Sequence, residues 1–260
     1  MKYNKPMNTA RTIVVGDPHG LVDEFRELVK LTDYRPGVDR LIVAGDLVDR
    51  GPDSPGMVRL AMELGAEAIQ GNHDAKLLRR WGHMDKLAAN PQYKNPMKPH
   101  EDQERTIQAL SQRERDWLTA LPYYIYLPRF DVIVAHAGLL PGVPLEKQSK
   151  EILTMVRYIH KDTRKMLSLV MPGFKQPPES VFWAEIWDGS SDVIFGHTVV
   201  SLENIRDWDG VGTGRAYGID TGAVFGGRLT AMILDPDHPR RRDIVQVAAR
   251  REYFKLGEEM

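Results

Sequence analysis

The sequence contains no cysteine, which excludes disulfide bonds and thiolate ligands from its chemistry. Any metal ion must therefore be bound by histidine, carboxylate, amide or water ligands. The formal net charge is only −1, and this near-neutral balance argues against a general binder of nucleic acid or of membrane surfaces. We therefore expect no stable nucleic-acid complex, and the short basic run at 240–242 is interpreted as solvated surface.

Long apolar segments are also missing. Residues 1–10 lack the apolar core of a secretory signal, and the uncharged stretch 132–145 is too short to span a bilayer. No GxxxxGK(S/T) loop is present, which argues against a P-loop nucleotide hydrolase. Together with a hydrophobic fraction of 42%, these absences predict a soluble cytoplasmic enzyme without a membrane partner.

The first 80 residues alternate between strand and helix patterns. Compact apolar runs at 12–15, 41–44 and 68–69 predict three buried strands that end at or just before a glycine. Apolar residues at helical spacing predict helices over 21–31 and 54–64. This alternation is typical of parallel strands with right-handed crossovers, so the predicted fold class is α/β.

The whole chain, residues 1–260, is predicted to be one domain with helical lid insertions at about 77–122 and 145–185. Within the insertions, the apolar spacing predicts helices over 106–121 and 146–170. Further strands are predicted at 132–135, 193–195 and 229–234. Ser54 is predicted to be a helix N-cap followed by Pro55 in the first helical position.

Five short glycine-flanked signatures follow these strands. They are Gly16-Asp17-Pro18-His19-Gly20, Gly45-Asp46-Leu47-Val48-Asp49-Arg50-Gly51, Gly71-Asn72-His73-Asp74, His136-Ala137-Gly138 and Gly196-His197-Thr198. Loops beyond the carboxyl ends of strands in such sheets gather at one edge, so we expect these signatures to converge. Turn chemistry alone explains any single one of them, whereas the ordered set of five does not have that explanation.

The signatures supply oxygen and nitrogen ligands for two divalent metal ions. Asp17 and His19 are separated by one residue and can face one ion, and Asp46 can bridge two ions because a carboxylate has two oxygens. The remaining candidate ligands are Asn72, His136 and His197. Such donors suit manganese, iron, zinc, cobalt, nickel or magnesium, of which we favour manganese.

The ordered set resembles the phosphoprotein-phosphatase-type, calcineurin-like metallophosphoesterases, and within them the bacterial diadenosine tetraphosphatase branch. Further resemblance lies in residues 71–80 and 218–230. The resemblance implies a metallophosphatase-type four-layer α/β/β/α sandwich. It also implies that Asp17, His19 and Asp46 bind a first metal ion, and that Asp46, Asn72, His136 and His197 bind a second.

Three residues are predicted to act directly in catalysis. His73 is the candidate general acid for the leaving oxygen, and Asp49 is the carboxylate that orients its ring. Arg50 is expected to bind phosphate oxygens, because a guanidinium offers a planar pair of donors. Asn72 is a second substrate contact, and Arg157 resembles the family's second phosphate-binding arginine.

Several other residues have a structural and a functional interpretation. Asp74 is predicted to cap a helix, and Asp220 and Thr221 to belong to a tight turn at Gly222. Trp183 and Trp187 are interpreted as packing residues, with stacking on a nucleobase as the alternative. The remaining histidines, His83, His100, His160 and His238, are expected to have structural or solvent roles.

Two substrate classes are open at this point. The first is a nucleotide polyphosphate such as diadenosine tetraphosphate, and inward-facing Lys76, Arg79, Arg80 and Arg157 would favour it. The alternative is a phosphomonoester, either on phosphoserine, phosphothreonine or phosphotyrosine of a protein or at a nucleic-acid end. Asp74 and Ala137 stand where eukaryotic protein phosphatases usually have Glu and Gly, which weakens the protein phosphatase alternative.

Overall fold

The computed structural model describes residues 10–167 and 176–255, which form two five-stranded sheets, a two-stranded sheet and six α-helices. The helices are α1 Val22–Leu31, α2 Ser54–Glu63, α3 Asn72–Ala89, α4 Glu101–Ala109, α5 Gln112–Thr119 and α6 Lys150–Met155. The first six strands are β1 Thr12–Val15, β2 Arg40–Val43, β3 Glu67–Ala68, β4 Tyr124–Leu127, β5 Val132–Ala135 and β6 Tyr158–His160. The others are β7 Ser180–Phe182, β8 Asp192–Phe195, β9 Arg206–Trp208, β10 Ala216–Gly218, β11 Arg228–Asp235 and β12 His238–Ala248.

The first sheet has the strand order β12-β11-β1-β2-β3. Strands β1, β2 and β3 are parallel, as the alternating sequence pattern predicts, and β11 joins β1 in the antiparallel direction. Strand β12 is an 11-residue edge strand paired along β11, and the basic run at 240–242 lies on it. The sequence analysis did not predict β12, because its polar composition lacks the apolar run of a buried strand.

The second sheet has the order β4-β5-β8-β10-β9. Its three central strands, β5, β8 and β10, run parallel, so the loops that follow β5 and β8 leave the sheet at the same edge. The outer strands β4 and β9 are antiparallel to their neighbours. This sheet therefore presents its signature loops in the same way as the first.

The two sheets pack face to face over an apolar core. Alternate residues of each strand point into it, because successive side chains of a strand lie on opposite faces. Val14 and Ile42 contribute from the first sheet, and Val134 and Ile194 from the second. The opposite faces are covered by two further cores, so every central strand is buried on both sides.

Helices α1 to α5 cover the outer face of the first sheet, and α6 with the β6–β7 hairpin covers the second. The predicted four-layer sandwich is thereby confirmed. The segment 77–122 extends the helical layer, whereas the described parts of 145–185 form most of the layer on the second sheet. Over the described residues, no helix combines the length and the apolar character needed to cross a membrane.

Two predicted helices are wrong in extent. The stretch 106–121 is divided into α4 and α5, because Ser111 caps α5 and forms a capping box with Glu114. Its predicted buried face is confirmed, with Ile107, Leu110, Leu118 and Leu121 buried and Trp117 partly buried. Among the described residues of the stretch 146–170, helix is confined to a 3₁₀ turn at Leu145–Lys147 and to α6.

The chain after α6 becomes extended and enters β6, because Val156 adopts the β conformation at the helix end. Residues 168–170 of the predicted helix lie outside the described residues. The start of α2 also differs from the prediction. Asp53 is the N-cap, with its carboxylate accepting from Gly56 N, and Ser54 is already helical. The Ser54 hydroxyl instead accepts a hydrogen bond from Asp49 N at 2.9 Å.

Candidate active site

The five signatures meet where the strands of both sheets end, as the topology predicts. The loops after β1 and β2 are joined by hydrogen bonds from His19 N to Asp46 O and from Gly20 N to Leu47 O, each 2.9 Å long. The two sheets are joined at the same place, because His197 N donates to Asp17 Oδ2 at 2.9 Å. Loops that are up to 180 residues apart therefore form one polar cluster.

Two of the flanking glycines are needed because other site residues approach their backbone closely. A Cβ on Gly45 would lie 2.6 Å from His136 Nδ1, and its φ of +96° also disfavours any other residue. A Cβ on Gly196 would overlap Asp17 Oδ1. The glycines of the signatures thus allow the loops of the two sheets to pack against each other.

Backbone strain is concentrated at this site. Eight non-glycine residues among those described have a left-handed backbone, and five of them belong to the signatures. These five are His19, Asp46, Asp49, Arg50 and His197. Each such residue costs of order 1 kcal/mol and persists only where the surrounding structure fixes it, a pattern typical of functional sites.

Asp46 lies at the centre of two groups of potential metal ligands. One group is His19, Asp46 and His73, and the other is Asp46, His136 and His197, with ligand atoms within 4.8 Å of one another in each. Asp46 Oδ2 lies 3.7 Å from His19 Nε2 and 3.4 Å from His136 Nε2. This places Asp46 between the two groups, in the position that a bridging ligand requires.

Backbone carbonyls orient two of the imidazoles. His19 Nδ1 lies 2.8 Å from Val48 O, and His136 Nδ1 lies 2.8 Å from Ala44 O. Since a carbonyl only accepts, each Nδ1 carries the proton, and each Nε2 faces the centre of the cluster. An imidazole held in this way is oriented as a metal ligand.

Buried atoms without partners show that the cluster suits cations. Asp17 Oδ1 and His197 Nε2 are both buried and accept or donate no hydrogen bond within the described part of the chain. Burial, followed by the nearby carboxylate of Asp220, raises the pKa of Asp17 well above its usual range. Unpaired oxygen and nitrogen donors beside crowded carboxylates are the arrangement that a divalent cation would satisfy.

Asn72 and His136 are close neighbours, with Asn72 Oδ1 3.0 Å from His136 Nε2. Burial alone would lower the pKa of His136, but the carboxylates of Asp46 and Asp17 raise it to about 10. Burial and Arg50 lower the pKa of His19 to about 3. The same cluster therefore shifts the pKa of the two imidazoles in opposite directions, because His136 faces carboxylates and His19 faces Arg50.

His73 is held by a buried carboxylate, as predicted. Its Nδ1 lies 2.8 Å from Asp49 Oδ2, and its backbone N donates to Asp46 Oδ1 at 2.9 Å. Burial would raise the pKa of Asp49, but hydrogen bonds from His73 and then Gln103 lower it below its usual value. The ionised carboxylate fixes the ring and keeps a proton on Nδ1, so Nε2 is available for proton transfer.

Arg50 projects into the cluster and is framed by aromatic rings. Its Nη1 lies 3.0 Å from His19 Nε2, and its guanidinium lies 5.3 Å from the ring centroid of Phe225. Phe254 lies on the C-terminal segment, 5.9 Å from the same guanidinium. These contacts hold the cation at the position from which it can meet a phosphoryl oxygen.

Arg157 also reaches the cluster. It lies between α6 and β6, and its Nη2 donates to His197 O at 3.2 Å. Its Nε is buried without a partner among the described residues. Burial and the charge of Arg50 lower the pKa of Arg157, so the two guanidinium groups share one electrostatic environment.

Asp74 does more than cap a helix. Its carboxylate accepts from Gly71 N at the start of α3, which confirms the predicted capping role. It also accepts from Asp46 N at 2.9 Å and Leu47 N at 3.1 Å, and therefore fixes the loop that carries Asp46. Burial and Asp46 raise the pKa of Asp74 to about 7.

The sequence analysis missed Gln103 and left the orientation of Arg80 open. Gln103 on α4 is fully buried, and its Nε2 lies 2.6 Å from Asp49 Oδ2. Arg80 does not face the cluster, because its Nε donates to Gln103 Oε1 at 2.6 Å. Gln103, Thr106 and Ile107 share the buried face of α4, so a glutamine on an apolar helical face was the available signal.

The tryptophans are packing residues, as predicted. Trp183 is fully buried and its Nε1 donates to Ala137 O at 3.1 Å, which leaves no face for a nucleobase. Trp187 is also buried, against Trp183. The turn predicted at Gly222 is confirmed, because Asp220 Oδ1 accepts from Gly222 N and Gly222 has a φ of +63°.

The four histidines outside the signatures make local contacts. His83 bonds to Tyr93, His100 caps α4, His160 accepts from a following turn and His238 lies beside Asp235. None of these contacts involves the cluster, in agreement with the structural roles expected for them.

Comparison with known proteins identifies the family. The model of the calcineurin-like phosphoesterases matches residues 10–201, and the chain therefore belongs to this family. It is a hydrolase that acts on phosphate esters or acid anhydrides.

Within this family, the chain is similar to bis(5'-nucleosyl)-tetraphosphatases. A symmetrical bis(5'-nucleosyl)-tetraphosphatase from Psychromonas ingrahamii is 28% identical over 85% of this chain and 92% of its own length. An asymmetrical one, PrpE from Geobacillus, is 31% identical over 84% of this chain and 88% of its own. A crystal structure of a candidate diadenosine tetraphosphatase has a TM-score of 0.73 at 31% identity, covering 93% of this chain and 94% of that one.

Proposed function

We propose that the chain hydrolyses nucleoside polyphosphates such as diadenosine tetraphosphate, with two divalent metal ions bound in the cluster. The observation that carries this proposal is the shared carboxylate of Asp46 between two buried ligand groups, beside the His73–Asp49 pair. Both relatives named above act on bis(5'-nucleosyl) tetraphosphates by their descriptions, one as a symmetrical and the other as an asymmetrical enzyme.

Six residues would hold the ions. Asp17, His19 and Asp46 would bind the first, and Asp46, Asn72, His136 and His197 the second. Manganese is the metal we favour, because the donors are a mixture of carboxylate, amide and imidazole. When bound, such a pair lowers the pKa of a water molecule and neutralises phosphoryl oxygens.

His73 would donate the proton that the leaving oxygen needs. Asp49 holds the ring through Nδ1, so the proton on Nε2 is the one transferred. His73 also lies within 4.8 Å of His19 and Asp46 in ligand-atom distance, which places the donor directly beside the proposed first ion. Donor and phosphoryl group would therefore share one pocket.

Arg50 and Arg157 would bind the phosphate chain. Both guanidinium groups approach the cluster, at His19 Nε2 and at His197 O respectively. Two guanidinium groups at different ligand residues suit a substrate with several adjacent phosphates, since each guanidinium can bind one phosphoryl group. Asn72 would contact the substrate as a neutral residue and would also bind the second ion through its amide oxygen.

The test is a substrate panel with the full chain, stripped by a chelator and reloaded with manganese. We expect no hydrolysis after chelation, recovery on reloading, and the highest kcat/KM for diadenosine tetraphosphate among mononucleotides, a phosphopeptide and a phosphorylated RNA end. Product analysis then separates the two cleavage modes, because two ADP molecules indicate symmetrical cleavage and ATP with AMP indicates asymmetrical cleavage.

Two results would contradict the proposal in different ways. Full activity in the chelated protein, with no metal detected by elemental analysis, would contradict the proposed metal dependence. A preference for the phosphopeptide or the RNA end by kcat/KM would keep the chemistry and replace the substrate class. His73→Asn serves as a reference in both cases, since it should bind metal but lose about 10²–10⁴-fold in turnover.

A further inference from the structure

We propose that Gln103, on the inserted helix α4, is a positioning residue for protonation of the leaving group. It acts through Asp49, whose carboxylate it holds in place, and so determines where His73 presents its proton. The inference rests on the proposed role of His73 as proton donor. Gln103 belongs to none of the five signatures and lies 54 residues from the carboxylate it contacts.

The geometry places two donors on one carboxylate oxygen. Asp49 Oδ2 lies 2.8 Å from His73 Nδ1 and 2.6 Å from Gln103 Nε2. Hydrogen bonds to an ionised carboxylate are short and directional, so these two donors define the rotation of the carboxylate. The orientation of the His73 ring follows from that rotation, because its Nδ1 shares the same oxygen.

The direction of the Gln103 amide is fixed by its two neighbours. Arg80 Nε lies 2.6 Å from Gln103 Oε1, and a guanidinium can only donate. The amide oxygen must therefore face Arg80, which turns the NH₂ group toward Asp49. An ionised carboxylate can only accept, so both ends of the amide are matched.

Arg80 anchors this amide to the rest of the first insertion. Its side chain is 3% exposed, and its Nη1 donates to Lys98 O at 2.8 Å and lies 3.5 Å from Glu104 Oε1. Helices α3 and α4 and the loop between them are thus joined at one guanidinium. The insertion thereby supplies a rigid support for the Asp49–His73 pair, and Gln103 is the point of contact.

The consequence for catalysis depends on the leaving group. A poorly activated leaving oxygen needs a proton in the transition state, whereas a nitro-substituted phenolate leaves without one. A change that misplaces His73 should therefore slow the reaction of phenyl phosphate strongly and that of dinitrophenyl phosphate weakly. A general loss of folding or of metal would slow both equally.

The test compares Gln103→Met with the wild-type full chain, loaded with manganese, on a series of aryl phosphates. Methionine keeps the length of the side chain and removes the donor. We expect kcat for phenyl phosphate to fall about tenfold or more and kcat for dinitrophenyl phosphate to fall less than about threefold. KM and the metal content should stay at the wild-type values.

Two further variants make the result decisive. Gln148→Met is the matched control, because the side-chain amide of this glutamine bonds to Leu140 and Val143 in the 140–143 loop. It should show the same dependence on the leaving group as the wild type. Gln103→Asn keeps a polar amide one methylene too short to span Arg80 and Asp49, and is used if Gln103→Met does not fold.

The outcomes separate this inference from the proposed function. If His73→Asn shows a steep dependence on the leaving group and both Gln103 variants do not, the positioning role is overturned and the proton-donor role stands. If His73→Asn loses activity equally on all the esters, the proton-donor role itself fails. An equal loss on all esters in the Gln103 variants, with lost metal, would show a purely structural residue and overturn the inference.

Discussion

The two predicted insertions contact different residues of the candidate active site, Asp49 and His197, by different chemistry. The first, at 77–122, contacts the site through the neutral amide of Gln103, which is buried and hydrogen-bonded through both its oxygen and its nitrogen. The second, at 145–185, contacts the site through the guanidinium of Arg157, whose Nε is buried without a partner in the described residues. The Gln103 amide therefore has both its oxygen and its nitrogen hydrogen-bonded, whereas Arg157 Nε has no partner among the described residues.

This difference indicates a division of labour. A satisfied hydrogen-bond network in a low-dielectric interior is rigid, which suits the orientation of a proton donor. A guanidinium with spare donors suits a ligand that arrives and leaves, such as a phosphate chain. The first insertion would therefore act on the leaving group and the second on the substrate phosphates.

The largest expected effect concerns how firmly the second insertion is attached. Trp183 is fully buried, its Nε1 donates to Ala137 O, and its backbone N donates to Arg157 O at 3.1 Å. We expect Trp183→Ala to lower the free energy of unfolding by about 3–5 kcal/mol. Denaturant titration of the metal-free protein measures this value.

The matched change in the first insertion is Leu118→Ala, at another fully buried position. We expect it to cost about 2–5 kcal/mol, since less apolar volume is removed and no side-chain hydrogen bond is lost. At temperatures where each variant is folded, Trp183→Ala should raise KM for diadenosine tetraphosphate and Leu118→Ala should not. The opposite pattern would break the assignment of phosphate binding to the second insertion.

The next effect is that of Arg157 on substrate binding. We expect Arg157→Met to lower kcat/KM for diadenosine tetraphosphate about 10- to 100-fold, because a charge-assisted contact to phosphate is lost. The dependence on the leaving group should stay unchanged across aryl phosphates. Arg206→Met is the control, since Arg206 stacks on Trp208 away from the cluster. A much larger loss on phenyl phosphate than on dinitrophenyl phosphate would instead assign Arg157 to the protonation of the leaving group.

The sequence predicted the parts of the fold that depend on local pattern. Strands β1, β2 and β5 follow from short apolar runs that lead into a signature, and α1 follows from helical spacing. The edge strand β12 and the β6–β7 hairpin were not predicted. Most of their residues are partly buried or exposed, and their pairing is set by tertiary contacts rather than by an apolar run.

For the candidate site, the sequence brought together the side chains that stand in ordered signatures. His73 and Asp49 lie 24 residues apart in the chain and were paired correctly. Gln103 could not be paired with Asp49, because nothing local to residue 103 records which loop the α4 helix approaches. For the same reason, the sequence predicted the capping role of Asp74 but not its bonds to Asp46 and Leu47, which link two separate loops.

The smallest expected effect is the coupling between the two insertions. Gln103 and Arg157 share no hydrogen-bond partner, so the effects of Gln103→Met and Arg157→Met on kcat/KM for phenyl phosphate should add within about 0.5 kcal/mol. The pair His73→Asn and Gln103→Met should behave differently, because both remove one function. The double variant should then be no slower than His73→Asn alone. Strong coupling between Gln103 and Arg157 would show that the two insertions act as one unit.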